Sequence, residues 1–466
     1  VQSSPREACG IFGVFAPGED VARVTFFGLF ALQHRGQESA GIAATDGVTI
    51  ALHADMGLVA QVFREGDLHR LRGPMAIGHT RYSTTGSSRL QNAQPIRVRG
   101  VHGELALGHN GNIINAVEWR KRLEAEWGCR FTTTTDSEVI AHLLANAPGE
   151  GWGERAAFVM RALVGAYSLV VLTPQVLLAI RDPLGVRPLC LGRFNGGWVV
   201  ASETCALEHI GATFLREVEP GEVVQVNAPF PRTLYKAPAP RRSFCVFEFI
   251  YFSRPDSRID GLLLYTARRR MGQELAREHP AGADLVIGVP DSSLPAAQGY
   301  AEASGIPYVE GLVKNRYVGR TFIQPDQRLR EVGVRLKFNP LGEVLAGKRV
   351  VVVDDSIVRG TTTPHVVGLL RQAGAREVHM RITSPPICWP CPFGIDMATR
   401  RELIAAHKSV EEIRQAIGAD SLGYLSLRGL YRALGLPRER FCDACFSGAY
   451  PVEVQLEMDK LALERE

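Results

Sequence analysis

The chain has 466 residues, 45% of them hydrophobic and 22% charged, which at about 150 residues per domain means two to four globular domains and excludes long disordered tracts and collagen-like repeats. Lys and Arg number 53 against 49 Asp and Glu, so no global excess of positive charge points to nucleic acid or a membrane surface. The most apolar stretch, residues 165–180, is broken by Ser168, Thr173, Pro174 and Gln175 and is shorter than a bilayer span; with no secretory signal at the start, the expected compartment is the cytoplasm.

Residues 10–225 carry short β-rich runs at 11–15, 41–44, 48–52, 75–79, 105–109, 168–172, 176–181 and 197–201. Helical stretches at 24–32 and 136–145 fall between them, and this alternation predicts a layered α+β domain. Residues 227–242 hold four prolines and the cations Arg232, Lys236, Arg241 and Arg242, and read as a linker. Beyond it the apolar strands 285–289 and 350–353 alternate with helical runs at 296–304 and 364–373, which predicts an open, mostly parallel α/β sheet. Residues 400–466 read as mostly helical.

Nine cysteines, an odd number spread over a long chain, do not suggest a disulfide framework; catalysis and metal ligation fit better. Cys9 opens a short apolar run and by itself reads as a core residue. Downstream stand Gln33-His34-Arg35-Gly36-Gln37-Glu38-Ser39-Ala40-Gly41, Gly78-His79-Thr80-Arg81-Tyr82-Ser83-Thr84, Gly108-His109-Asn110-Gly111-Asn112 and Thr135-Asp136-Ser137-Glu138. In order and spacing these segments resemble the glutaminase domain of the N-terminal-nucleophile amidotransferases. The resemblance implies an αββα fold, a leader of residues 1–8 cut between Ala8 and Cys9, and Cys9 as nucleophile. A freed α-amine, with a reference pKa near 8, suits the task of activating the thiol, which an amide nitrogen cannot do, so the uncleaved chain is expected to lack glutaminase activity. Arg81 is expected to fork onto glutamine's carboxylate and Asp136 to face its ammonium. The Asn110 amide and the Gly111 N–H are expected to hold the oxyanion.

In the run Arg349-Val-Val-Val-Val-Asp354-Asp355-Ser356-Ile357-Val358-Arg359-Gly360-Thr361-Thr362-Thr363-Pro364, four valines make a buried strand whose carboxyl end, where open α/β sheets bind ligands, carries two acids. A loop with hydroxyls and a glycine then leads into a helix with proline in its first turn, a ready anion site. The run resembles the PRPP signature of type I phosphoribosyltransferases. That resemblance implies PRPP binding by Asp354, Asp355, Ser356, Arg359, Gly360, Thr361 and Thr362. Strand 285–289 delivers Pro290-Asp291-Ser292-Ser293 to the same edge, with Ser292, Asp354 and Asp355 expected at one Mg²⁺ per subunit. Residues 314–322, with Lys314 and Arg316 toward PRPP, suit a lid that closes over a polyanion.

Spacing alone offers Cys388-x₂-Cys391 and Cys442-x₂-Cys445 as a Cys₄ zinc site. The segments around Cys245, Cys391 and Cys442–Cys445 instead resemble those of the iron–sulfur branch of the amidophosphoribosyltransferases. This implies one [4Fe–4S] cluster per subunit on Cys245, Cys391, Cys442 and Cys445, with Cys388 a bystander. The family resemblance covers almost the whole chain. It implies a glutaminase domain at 9–240, a type I phosphoribosyltransferase domain at 241–400 and a helical C-terminal segment at 401–466. The implied reaction takes glutamine, PRPP and water to 5-phosphoribosylamine, glutamate and pyrophosphate, with ammonia passed between two sites, as the opening step of purine synthesis. A homotetramer with purine nucleotides as feedback inhibitors is implied as well. Two other readings stand beside it: another glutamine-dependent synthase, such as the hexosamine-forming one, and a non-catalytic PRPP-sensing regulator.

Overall fold

A computed structural model describes residues 9–83, 85–238, 241–315, 338–454 and 462–464. The expected leader and Arg316, with most of the expected lid, lie outside the described residues. The N-terminal half is built on two facing antiparallel sheets. The first orders Thr213–Glu217, Cys190–Phe194, Gly197–Ala201, Gly10–Phe15, Met75–Arg81, Ser39–Thr45 and Ile50–Met56. The second orders Arg232–Lys236, Glu222–Gln225, Leu177–Arg181, Gly165–Leu172, Gly103–Ile113 and Ile96–Gly100.

Side chains alternate across a strand, so each strand serves two cores. Ile11, Ile77 and Val200 of the first sheet meet Ala106, Val170 and Ala179 of the second in the inter-sheet core. Phe12 and Val14 point the other way, into the core shared with helix Val21–Ala31. Asp20 caps that helix by accepting from the Arg23 N–H at 3.0 Å. A Cβ at Gly28 would stand 2.5 Å from the Phe12 ring, so the glycine lets helix and sheet close. On the outer face of the second sheet, helix Asp136–Asn146 buries Val139, Ile140, Leu143 and Leu144. Helix, sheet, sheet and helix thus stack as four layers.

The C-terminal half is organised by a parallel sheet ordered Leu285–Gly288, Arg349–Asp354, Glu377–Ile382 and Ser421–Tyr424. The four valines are buried on both faces, Val351 and Val353 toward one core and Val350 and Val352 toward the other. Helices Leu264–Glu278 and Leu294–Ser304 cover one face; Gly272 and Gly299 give the contact, since a Cβ at either would lie under 2 Å from a facing carbonyl.

Two segments differ from the sequence reading. Residues 227–242 include the edge strand Arg232–Lys236, paired with Glu222–Gln225, because prolines are tolerated on either side of a short edge strand. Residues 421–424, read within a helical tail, form the fourth strand of the parallel sheet, while helices Val410–Ile417 and Leu427–Leu434 flank them. Phe244–Cys245 also pairs in parallel with Phe441–Cys442, which ties the chain's last part to the start of the second half. Among the described residues no helix is long and apolar enough to cross a membrane.

Candidate active sites

Cys9 precedes strand Gly10–Phe15, whose Gly10 pairs with Thr80, so it stands beside Arg81 and Tyr82. Its Sγ donates to the Tyr82 carbonyl at 3.4 Å and accepts from the Tyr82 N–H at 3.5 Å. Burial pushes the thiol up to about 11, against the Tyr82 bond and the Arg81 charge, so the sulfur keeps its proton at neutral pH and needs a base in the reacting step. The buried Arg81 guanidinium donates to the Ser87 and Thr85 carbonyls at 3.1 Å each and lies 3.9 Å from Glu38. These bonds fix the plane of its fork.

Asn110 is wholly buried, yet among the described residues neither its amide oxygen nor its amide nitrogen has a hydrogen-bond partner. Leaving such a group unpaired costs free energy, and a donor without a partner is what a developing oxyanion requires. Gly111 beside it has φ +150°, and a Cβ there would lie 2.0 Å from the Ala166 carbonyl. Asp136 begins helix Asp136–Asn146, where the helix dipole favours a carboxylate. Its Oδ2 accepts from the Ile113 N–H at 3.1 Å and stands 3.7 Å from His109 Nδ1. The carboxylate is therefore tied to the same strand that carries Asn110 and Gly111.

A buried charge network behind Cys9 was not singled out in the sequence. Arg35 donates to the Cys9 carbonyl at 3.1 Å, to Glu203, and to both oxygens of Glu248 at 2.8 and 3.1 Å. Glu248 also accepts from Arg187 at 3.2 Å, and Arg187 donates to the Phe393 carbonyl at 2.8 Å. Burial opposes every charge here, but the mutual pairing prevails: Glu203 and Glu248 lie below the usual carboxylate range and Arg35 above its ordinary value. The available signal was Glu248 itself, one carboxylate inside the aromatic run Phe247–Phe252.

The second site forms at the carboxyl edge of the parallel sheet. Ser292 donates to Asp355 at 2.7 Å, Ser293 to Asp354 at 3.2 Å, and Ser356 to Asp355 at 2.8 Å. Ser292, Asp354 and Asp355 thus stand together as hard oxygen donors, the type that Mg²⁺ takes. The loop continues into helix Thr363–Gln372, with Pro364 in its first turn. Among the described residues Thr361 Oγ1 is buried without a partner, a donor that could meet a ligand oxygen. Thr362 stands at the helix N-cap and Gly360 has φ +66°. Lys314 pairs with Asp291 on the neighbouring loop. Arg359 is turned onto the segment that follows strand Glu377–Ile382, where it pairs with Glu402 and donates to the Asp396 carbonyl at 3.1 Å.

The four expected cluster ligands converge. Cys245 and Cys442 are register partners, and Cys445 lies in the short helix Ala444–Ser447. Burial raises all four thiols, Cys245 to about 12, and the thiolates of Cys245, Cys391 and Cys442 raise Cys445 further. Yet among the described residues no three Cys, His, Asp or Glu side chains gather as they would around one metal ion. Cys388 instead donates to the Ala405 carbonyl at 3.3 Å.

Comparisons with known proteins cover both halves of the chain. A family described as a glutamine amidotransferase domain matches residues 79–209, and one described as a phosphoribosyl transferase domain matches residues 261–383. The chain is 54% identical to the amidophosphoribosyltransferase of Synechococcus elongatus, over 99% of this chain and 95% of that one. Its identity with the Bacillus subtilis amidophosphoribosyltransferase is 49%, over 96% and 95%. The solved glutamine phosphoribosylpyrophosphate amidotransferase from B. subtilis, complexed with ADP and GMP, shares the fold with TM-score 0.90 at 48% identity, covering 97% of this chain and 99% of that one.

Proposed function

The chain belongs to the amidophosphoribosyltransferases, enzymes of purine biosynthesis that combine a glutamine amidotransferase with a phosphoribosyl transferase domain, and we propose that it couples the two chemistries through the residues described above. In this reading residues 9–240 hydrolyse glutamine, residues 241–400 bind PRPP, and residues 401–466 complete the second unit. Arg81 and Asp136 grip glutamine's carboxylate and ammonium. Cys9 Sγ attacks the side-chain carbonyl carbon as its proton passes to the α-amine that leader removal exposes. Asn110 and the Gly111 N–H receive the oxyanion. The C–N bond breaks, ammonia leaves with that proton, and water hydrolyses the thioester to glutamate.

The ammonia then attacks C1 of PRPP as pyrophosphate departs. Free ammonia in water is mostly ammonium, which is no nucleophile, so internal passage serves the chemistry. Asp354, Asp355, Ser356, Arg359, Gly360, Thr361 and Thr362 hold PRPP, with Lys314 and Arg316 closing from the lid. Ser292, Asp354 and Asp355 would hold one Mg²⁺ per subunit, which supplies charge neutralisation for the diphosphate. Cys245, Cys391, Cys442 and Cys445 would hold one [4Fe–4S] cluster per subunit, a structural pin between the C-terminal segment and the rest. The proposal includes a cytoplasmic homotetramer inhibited by purine nucleotides.

The observation that carries the reading is the buried, unpartnered Asn110 amide on the strand held to Asp136. Replacing Cys9 by Ala tests it. Glutamine-dependent synthesis should fall by about 10³-fold or more, while synthesis from added ammonia stays near the parent rate. Retained glutamine-dependent synthesis would refute the assignment.

A further inference from the structure

One short segment touches both sites. At its start, the Pro392 carbonyl accepts from Asn112 Nδ2 at 2.9 Å, and the Phe393 carbonyl accepts from Arg187. Gly394, at φ +95°, lies so close to the peptide of Gly111 that a Cβ would stand 2.9 Å from its carbonyl. At the other end, the Ile404 N–H donates to the Val358 carbonyl at 2.9 Å. A Cβ on Gly360 would meet Ile404 Cδ1 at 2.4 Å, and Glu402 and the Asp396 carbonyl hold Arg359. Between these anchors Phe393, Ile395, Met397 and Leu403 are buried. The segment is packed as far as Met397 and again at Leu403, with Arg400 and Arg401 exposed between them, where the Thr399 N–H bond to Glu402 closes the turn.

We infer that residues 391–406 are a strut that transmits occupancy of the phosphate loop to the oxyanion donors, with Glu402 and Gly394 as positioning residues at its two ends. The inference rests on the functional reading above and adds the route. A coupling route needs a contiguous packed path and an element with two arrangements. The path is the strut. The two-state element is Arg359, which pairs either with the Glu402 carboxylate or with a phosphate oxygen of an arriving diphosphate. A phosphate that takes Arg359 releases Glu402, whose other oxygen accepts from the Thr399 N–H at 3.0 Å, and so frees the far end of the strut. At the near end a shift of a few tenths of an ångström moves Gly394 against Gly111, whose N–H must meet the oxyanion.

The test measures glutamate release by the full-length enzyme with and without saturating PRPP and Mg²⁺, beside synthesis from added ammonia. In the parent enzyme PRPP should raise glutamate release. Glu402→Gln, which keeps the side-chain volume, should cut that stimulation by about fivefold or more even at saturating PRPP. Gly394→Ala should lower kcat for glutamate release about tenfold or more. Both should leave ammonia-dependent synthesis within about twofold of the parent. Hydrogen exchange over residues 391–406 should rise when PRPP is added to the parent and be already raised in Glu402→Gln. If Gly394→Ala does not fold, Glu402→Gln decides. Undiminished stimulation in that variant, or a loss confined to a higher KM for PRPP, overturns the strut but leaves the functional reading standing. A parent enzyme without PRPP-dependent glutamate release overturns both.

Discussion

Around Cys9 the chemistry-bearing side chains are almost shut away from solvent: Cys9 is 6% exposed, Arg81 2%, Asn110 0% and Asp136 4%. Around the four-valine strand Asp355 and Ser356 are buried as well, but the other groups are more open. Asp354, Arg359, Gly360, Thr361 and Thr362 are half-buried, and Asp291 is exposed. The difference follows from what each site handles. Glutamine has no net charge, and its amide reacts only where an oxyanion is stabilised by donors that water does not compete for. PRPP is a multiply charged anion, so its site needs open access and oxygen or N–H groups already in place. The buried site is therefore stabilised by a charge network made within the protein, whereas the open site completes its charge balance with its ligands.

That contrast can be broken at its foundation first. Glu248→Gln leaves the buried Arg35 and Arg187 without a carboxylate between them, and should cost about 3–5 kcal/mol of stability in denaturant melts; a change below about 1 kcal/mol would show that the network is not what holds the closed site. A smaller effect is expected from Asn110→Ala. Glutamine-dependent kcat should fall by about 10²–10³, or about 3–4 kcal/mol of transition-state stabilisation, with ammonia-dependent synthesis unchanged; equal loss in both assays would move Asn110 out of the oxyanion role.

The smallest effect, over the pH range measured, is a titration. Burial pulls His79 down to about 3 in the folded chain, against the usual 6.5. Between those values the unfolded chain binds more protons, so stability is full above pH 6.5 and falls as pH drops toward 3, by about 1.4 kcal/mol for each pH unit from this group. His79→Gln should flatten that slope in unfolding measurements between pH 6.5 and 5, while the parent keeps it.

Much of the second site was legible because its residues are contiguous. A run of four valines is a doubly buried strand in almost any context, and the acids, hydroxyls and glycine that follow it are delivered by local chain direction. Ser292 could be placed beside Asp355 because parallel strands bring their carboxyl ends to one edge. The Glu248 network was not legible in this way. Arg35, Arg187, Glu203 and Glu248 are ordinary surface residues by type, and only the packing of both halves turns them into a buried set. The same holds for strand Ser421–Tyr424, whose short, glycine-containing sequence becomes a strand only because Glu377–Ile382 offers it an open edge.

From the sequence came the candidate reacting groups and their division between two chemistries, because the family resemblance that implies them is carried by short contiguous segments. Tertiary structure alone decided how the two sites touch. The contact of Gly394 with Gly111, the grip of Glu402 on Arg359 and the carboxylate shared by Arg35 and Arg187 join residues tens to hundreds of positions apart. Such contacts depend on which surfaces the hydrophobic cores press together, and no local pattern encodes that.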